Sequence, residues 1–239
     1  MSLKNLEIYN NAFSGKTCFI IGSGCSINSI KDLSFLNEYY TIAVNGGYVA
    51  HPNSDFFISD DWSVTSWSYF KDMESSNTVP LLYYDMLQYD CHRIDKAVIF
   101  KHRTGYHITD KYVHLEYENR ICEARSSLGS AIHVAHIMGF DKIILLGVDC
   151  CRYKGARYFW DIGKWNKPKR FDNIPTDKYR RIMFNNYYTD TDLLQILDYW
   201  KIAGTEFAKC NIYNVSEISK IESFKKVSLQ NILPECVKK

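Results

Sequence analysis

The chain has 239 residues, 46% of them hydrophobic, enough to bury a substantial core as one domain carrying insertions. Its 29 Lys and Arg against 27 Asp and Glu leave a formal charge of +2, which excludes the strong basic field of a nucleic-acid binder. No run approaches the roughly 18 apolar residues of a membrane span, and the opening Met1-Ser2-Leu3-Lys4-Asn5 lacks the apolar stretch of a leader, so a cytoplasmic protein is expected.

Thr17 to Ile21 is a short apolar run that stops on Gly22-Ser23-Gly24-Cys25-Ser26, as a buried parallel strand does at the carboxyl edge of a sheet. Two residues without a Cβ, followed by Ser26, let a phosphate or sugar oxygen approach the main-chain N–H groups. Residues 29–36 have roughly helical apolar spacing, and 40–44 repeat the strand form ahead of Asn45-Gly46-Gly47. A third edge follows at 55–59, ending on Asp60-Asp61-Trp62, with further strands expected at 79–84 and 97–100. The clearest helix is 126–138: serines at its start for capping, Leu128, Ala131, Ile132, Ala135 and Met138 on one stripe, and Gly139 as its stop. It leads into Lys142 to Leu146 and a second turn, Gly147-Val148-Asp149. A late helix at 192–202 ends near Gly204 and precedes a strand at 210–215. Alternating strands and helices predict an α/β, Rossmann-like, mostly parallel sheet flanked by helices, a single domain over 1–239. Such sheets bind ligands along the carboxyl edge, so a nucleotide-handling domain is the functional expectation.

Residues 150–185 differ. They lack periodicity and hold ten basic residues against three aspartates, a net +7 that leaves −5 for the rest of the chain. Placed directly after Asp149, they read as a basic lid insertion over the ligand crevice, able to clamp a phosphate; the plainer alternative is a solvated loop. Eight cysteines occur without a CxxC, so reduced, structural thiols are expected. His133 and His136 lack the glutamate of a zinc helix and read as a polar helix face, while His102, His107 and His114 show no ligand spacing. The five tryptophans read individually as packing residues, and Asp60-Asp61 as a solvated turn or cap unless a sugar or metal meets them.

The ordered set of Ile20-Ile21-Gly22-Ser23-Gly24-Cys25-Ser26, Val44-Asn45, Ser126-Ser127 opening a helix that stops at Gly139, and Ile144-Leu145-Leu146-Gly147-Val148-Asp149 resembles the bacterial CMP-sialic-acid-dependent sialyltransferases. It is similar, too, to the wider clan of phage-encoded glycosyltransferases and archaeal 6-hydroxymethylpterin diphosphokinase-like proteins. The resemblance spans roughly residues 16–215 as scattered motifs. It implies that Ser23 replaces an asparagine facing the nucleotide sugar, that Asn45 matches a nucleotide-contacting asparagine, and that Ser127 matches a serine opening the central helix. One of two tyrosines holding the leaving phosphate matches Tyr158 after a one-residue shift; the other falls on Cys151. The place of the general-base histidine, counted back from Asp192, holds Tyr187. With an ordinary pKa of about 10, a tyrosine is a poor base at neutral pH, so Asp190, Asp192, Asp60 or Asp61 are candidates for that role.

The resemblance thus implies a glycosyltransferase moving a sugar from a nucleotide-activated donor, such as a CMP-sugar, to a glycan acceptor. The residues expected to bind it are Gly22, Ser23, Gly24, Ser26, Asn45, Ser127, Asp149 and Tyr158. No metal or other cofactor is expected on this reading, nor a nucleic-acid partner. The relatives further imply a homo-oligomer and, for some, contact with the membrane surface. Two alternatives stand beside it: a diphosphokinase-like enzyme using ATP, with Asp60, Asp61 or Asp149 holding magnesium, and a catalytically silent nucleotide or glycan binder.

Overall fold

A computed structural model describes residues 4–84, 86, 94–102, 121, 126–170, 190–207 and 210–239. Its strands are β1 (Lys4–Asn5), β2 (Thr17–Ile21), β3 (Tyr40–Val44), β4 (Phe56–Ser59), β5 (Val79–Tyr83), β6 (Val98–Phe100), β7 (Lys142–Leu146), β8 (Ile212–Asn214) and β9 (Lys225–Lys226). They form one nine-stranded sheet in the order β1-β6-β5-β4-β3-β2-β7-β8-β9. Every pairing is parallel, so "mostly parallel" becomes wholly parallel among the described residues. The helices are α1 (Ser68–Glu74), α2 (Ser127–Ile137), α3 (Asp190–Phe207) and α4 (Leu229–Ile232), with short 3-10 turns between strands. None of the described helices is long and apolar enough to cross a membrane.

Strand β2 is buried at all five positions, and successive side chains go to opposite faces of the sheet. Cys18 and Ile20 join Ile42, Ile58, Ile143 and Leu145 in the core that α2 covers, whereas Phe19 and Ile21 join Ile144 and Leu146 against Leu33, Leu36 and Ile232. A third cluster packs Ala43, Phe57 and Leu82 against Tyr69, Phe70 and Met73 of α1. Both faces are therefore covered, which is why the central strands read as unbroken apolar runs. At the rims, β1 and β9 are two residues long and exposed at both positions, β9 being two lysines; short, charged edges discourage pairing with another chain.

Several expectations change. Residues 29–36 form no α-helix. A 3-10 turn spans Cys25–Ser29 and another Ser34–Glu38, because serine and aspartate side chains capture nearby backbone: Ser29 Oγ donates to the Ser26 carbonyl at 2.7 Å, and Ser34 N–H to Asp32 Oδ1 at 2.9 Å. Helix α2 sits within a residue of its expected bounds, but Ser126 at the N-cap makes no side-chain cap bond. Nor is its outer face polar. Every α2 residue except His136 is buried, and His133, fully enclosed, meets Phe207 edge-on at 6.3 Å. Helix α3 continues through Gly204 to Phe207, and Gly204 is there for close packing, since a Cβ at that position would collide with Ser223. Trp200 of α3 is a core residue, packed on Phe207 and Phe224.

Candidate functional site

From β2 the chain steps outward through β3, β4, β5 and β6, then returns to place β7 on the other side of β2. The two glycine turns therefore end up side by side at the point where the strand order reverses, the usual place for a ligand crevice. Here the turns grip each other: Gly22 N–H donates to the Leu146 carbonyl and Gly24 N–H to the Gly147 carbonyl, each at 2.8 Å. Gly147 has φ +62, and a Cβ there would lie 2.5 Å from Ile27 Cγ1, so only glycine fits. At Gly24 a Cβ would come within 2.5 Å of Asp149 Oδ2.

Asp149 explains that closeness. It is 3% exposed, its Oδ2 accepts the Ser26 N–H at 2.9 Å, and its Oδ1 accepts the hydroxyls of Ser26 at 2.5 Å and Ser216 at 2.6 Å. Ser26 and Asp149 thus bind each other and tie the first turn to the second. What the pair contributes to the edge is a fixed backbone, with Gly22, Ser23 and Gly24 held in place for any ligand.

One strand over, β3 ends at Asn45, whose φ of +49 lies in the left-handed region that asparagine tolerates better than most residues. Its Nδ2 donates to Ser127 Oγ at 3.3 Å, and the same oxygen accepts the Asp60 N–H at 3.1 Å. Ser127, at the start of α2, therefore joins the ends of β3 and β4 under one hydroxyl. Asn45, Ser127 and Asp60, far apart in sequence, meet here. Asp60 is asymmetric: its Oδ2 accepts Ser130 Oγ at 2.6 Å and lies 3.5 Å from His102 Nε2, while its Oδ1 is buried without a hydrogen-bond partner. Asn45 Oδ1 and Ser126 Oγ are buried and unpartnered as well. Each such oxygen costs about 1–3 kcal/mol when left unpaired, and their grouping at a sheet edge makes this corner a candidate for contact with a ligand's donors. Asp61 is different, because its carboxylate caps the next turn, accepting Ser63 N–H at 2.8 Å and Ser63 Oγ at 2.7 Å. The capping interpretation is right for Asp61 and fails for Asp60.

Only residues 150–170 of the basic insertion are described. They cross the carboxyl ends of β2, β3 and β4. Phe159 N–H donates to the Ser23 carbonyl at 3.2 Å, Asn28 Nδ2 donates to the Phe159 carbonyl at 2.8 Å, and the Trp160 ring sits against Gly46, where no Cβ would fit. Further on, Ser68 N–H donates to the Lys169 carbonyl at 2.8 Å and Arg170 Nε to Ser66 Oγ at 3.3 Å. Tyr158 stacks on Trp160 at 4.6 Å, with the Arg157 guanidinium 5.0 Å from its ring, and burial pushes its phenol above the ordinary value. Lys154, Lys164, Lys167 and Lys169 are exposed. A basic lid is not what this half shows; it is an aromatic strap, buried on its inner side, with cations on its outer side. Residues 171–185 and Tyr187 lie outside the described residues, as does the side chain of Asp190, the first residue of α3.

Among the described residues no three His, Cys, Asp or Glu converge as a metal site, and Cys18, Cys25, Cys150, Cys151, Cys210 and Cys236 are free thiols. Burial pushes Cys25 up to about 11 and Cys150 up to about 12, which makes them inert structural thiols. Ser130 is the residue of this cluster that sequence reasoning missed, and His102 is one that it did not select from the three histidines of the middle segment. Ser130 is buried in the first turn of α2 and looks like any small helix residue, and His102 gave no spacing signal until β6 was placed beside β5 and β4.

The model of the 6-hydroxymethylpterin diphosphokinase MptE-like family matches residues 1–155. Among solved structures, the MAf glycosyltransferase from Magnetospirillum magneticum AMB-1 is similar with a TM-score of 0.54 at 14% identity, over 96% of this chain and 39% of that one. This chain thus spans about two fifths of that protein's length. The sialyltransferase CstII from Campylobacter jejuni, in complex with cytidine-5'-monophosphate, is similar with a TM-score of 0.49 at 13% identity, over 90% of this chain and 86% of that one. At 14% identity the likeness to the MAf glycosyltransferase is one of fold. No curated protein sequence matches the chain.

Proposed function

The chain belongs to the 6-hydroxymethylpterin diphosphokinase MptE-like family, and we propose that it transfers a group from an activated nucleotide to a hydroxyl acceptor, in the manner of a glycosyltransferase. The nucleotide lies across the carboxyl ends of β2 and β3, against Gly22–Ser23–Gly24, Asn45 and Ser127, under the strap that carries Tyr158. The observation that carries this reading is the pair of buried, unpartnered oxygens, Asn45 Oδ1 and Asp60 Oδ1, joined through Ser127 at one point of the edge. Such acceptors suit a ligand rich in hydroxyl donors, as a ribose or a sugar is.

In the transfer, the acceptor hydroxyl oxygen attacks the anomeric carbon and the bond from that carbon to the phosphate oxygen breaks. The leaving nucleotide keeps the electron pair. Asp60 Oδ1 takes the hydroxyl proton, since it is the carboxylate oxygen at the edge with no donor of its own. The tyrosine phenol at 158, kept protonated by burial, can donate to the departing phosphate. The resemblance also supports a homo-oligomer and peripheral contact with the membrane surface.

The family's description favours a second reading, pyrophosphoryl transfer from ATP. Its magnesium would call on the edge carboxylates, and two of the three do not fit: Asp61 is taken by Ser63, and Asp149 by Ser26 and Ser216. Glycosyl transfer is therefore preferred. Melting the protein with CMP, UDP, ATP and their sugar conjugates, with and without magnesium, tests both. A nucleotide at a hundred times its Kd adds about 2.7 kcal/mol, or roughly 5–10 °C for a chain of this size. A shift with CMP or UDP that needs no magnesium, together with sugar transfer, supports the first reading. AMP released from ATP only with magnesium establishes the second instead, and no shift with any nucleotide refutes both.

A further inference from the structure

We infer that His102 is a positioning residue for Asp60: its Nε2–H holds the Ser130 hydroxyl, which in turn anchors one carboxylate oxygen, so that the other is turned to the acceptor. The inference rests on the reading of Asp60 as proton acceptor. The imidazole stands two residues past β6, two strands from β4, and reaches Asp60 over the end of β5. There it lies on the Tyr83 ring, centroids 4.1 Å apart and planes 17° from parallel. It is 6% exposed, and Ile121 pairs with His102 as a parallel bridge, so both its backbone and its ring are held.

Proton accounting sets its tautomer. Ser130 Oγ donates its only proton to Asp60 Oδ2 at 2.6 Å, so towards the imidazole that oxygen can only accept. His102 Nε2, 3.3 Å from Ser130 Oγ and 3.5 Å from Asp60 Oδ2, faces two acceptors and must carry the hydrogen itself. The Nε2 hydrogen bond goes to Ser130 Oγ, which passes the hold on to Oδ2, and no donor reaches Oδ1. A carboxylate held by one oxygen cannot rotate to pair its other oxygen internally. Oδ1 keeps its lone pairs unpaired, on a residue whose own N–H is bound to Ser127 Oγ beside Asn45. A histidine with a purely structural role, stacking on Tyr83, would do as well with Nε2 bare.

Ring nitrogen resonances of the full chain, read by long-range proton–nitrogen NMR, give the first test. Expected is a protonated His102 Nε2 whose shift moves in Asp60→Asn and in Ser130→Ala; an unprotonated Nε2, or one indifferent to both changes, overturns the inference. The second test is steady-state transfer with the nucleotide sugar that melting selects. His102→Phe keeps the stack on Tyr83 and loses the donor, and should lower kcat about 10–100-fold with KM nearly unchanged. His102→Gln, which restores an N–H at similar reach, should recover part of that loss. A His102→Phe enzyme with the parent kcat overturns the inference. A protein that turns over no donor refutes the transfer reading, and the ring measurement then decides this one alone.

Discussion

Replacing Asp149 separates a residue that builds the edge from one that binds there. Its carboxylate is 3% exposed and accepts three hydrogen bonds, two from Ser26 and one from Ser216, which is itself 2% exposed. Hydrogen bonds to a charged group contribute about 1.5–3 kcal/mol each. Ser26 is only half-buried and water can replace part of its loss, whereas the enclosed Ser216 hydroxyl would be left bare in Asp149→Ala. The change should therefore cost about 4 kcal/mol, a fall in Tm of roughly 8–16 °C. Asp149→Asn keeps the shape and one acceptor, and should cost about half as much. Urea unfolding followed by circular dichroism measures both, alongside nucleotide affinity by calorimetry. For Asp149→Asn, stability should fall while Kd for the nucleotide stays within about threefold, under 1 kcal/mol. An Asp149→Ala protein within 1 kcal/mol of the parent, or an Asp149→Asn protein of normal stability that binds roughly a hundredfold more weakly, would refute the reasoning.

Other perturbations test the packing that frames the edge. At Gly47 a Cβ would run into the Ile21 carbonyl, whereas at Gly155 it would meet nothing within 4 Å and only the φ of +80 resists it; Gly47→Ala should cost about 3 kcal/mol and Gly155→Ala about 1–2 by chemical denaturation. Trp200→Ala, at a site 1% exposed between Phe207 and Phe224, should cost about 3–5 kcal/mol, and a loss under 1 would mean that α3 is not docked as described. Stability should plateau between about pH 6.5 and 9 and fall on both sides. On the acid side, burial lowers His51 and His136, so the unfolded chain takes up protons that the folded one refuses, and stability is lost as pH falls below the ordinary imidazole range. On the alkaline side, Cys150 stays neutral up to about 12 while an unfolded thiol ionises near its ordinary 9.0, so stability is lost as pH rises from there. Urea midpoints flat from pH 5 to 11 would contradict both.

Strands β2, β3 and β7 were legible because a parallel strand covered on both faces is mostly apolar along its length, and glycines follow within two residues of each. Helix α2 was legible for the same reason, in its length and its stop at Gly139, whose φ is +84. The edge strands were not: β1 and β9 are two residues each, and Lys225–Lys226 becomes a strand only because β8 offers it a partner. Residues 29–36 carried helical spacing but were diverted by local serine and aspartate hydrogen bonds, which apolar periodicity does not register. Asp60 and Asp61 look alike in sequence, yet Asp61 binds Ser63 beside it while Asp60 is held by Ser130, 70 positions away.

Hydrophobic pattern and glycine placement act over a few neighbouring residues, so the chain alone already dictated an α/β sheet with glycine turns and an exposed carboxyl edge. Which turn faces which, and which polar atoms stay unpaired, depends on contacts between residues 14 to 126 positions apart, as between Thr41 and Asp55 or Gly15 and Asp141. Strand order decides those contacts. By returning β7 to the side of β2 the fold closed Asp149 onto Ser26, and by setting β6 two places from β4 it brought His102 to Asp60, whose other carboxylate oxygen stays unpaired.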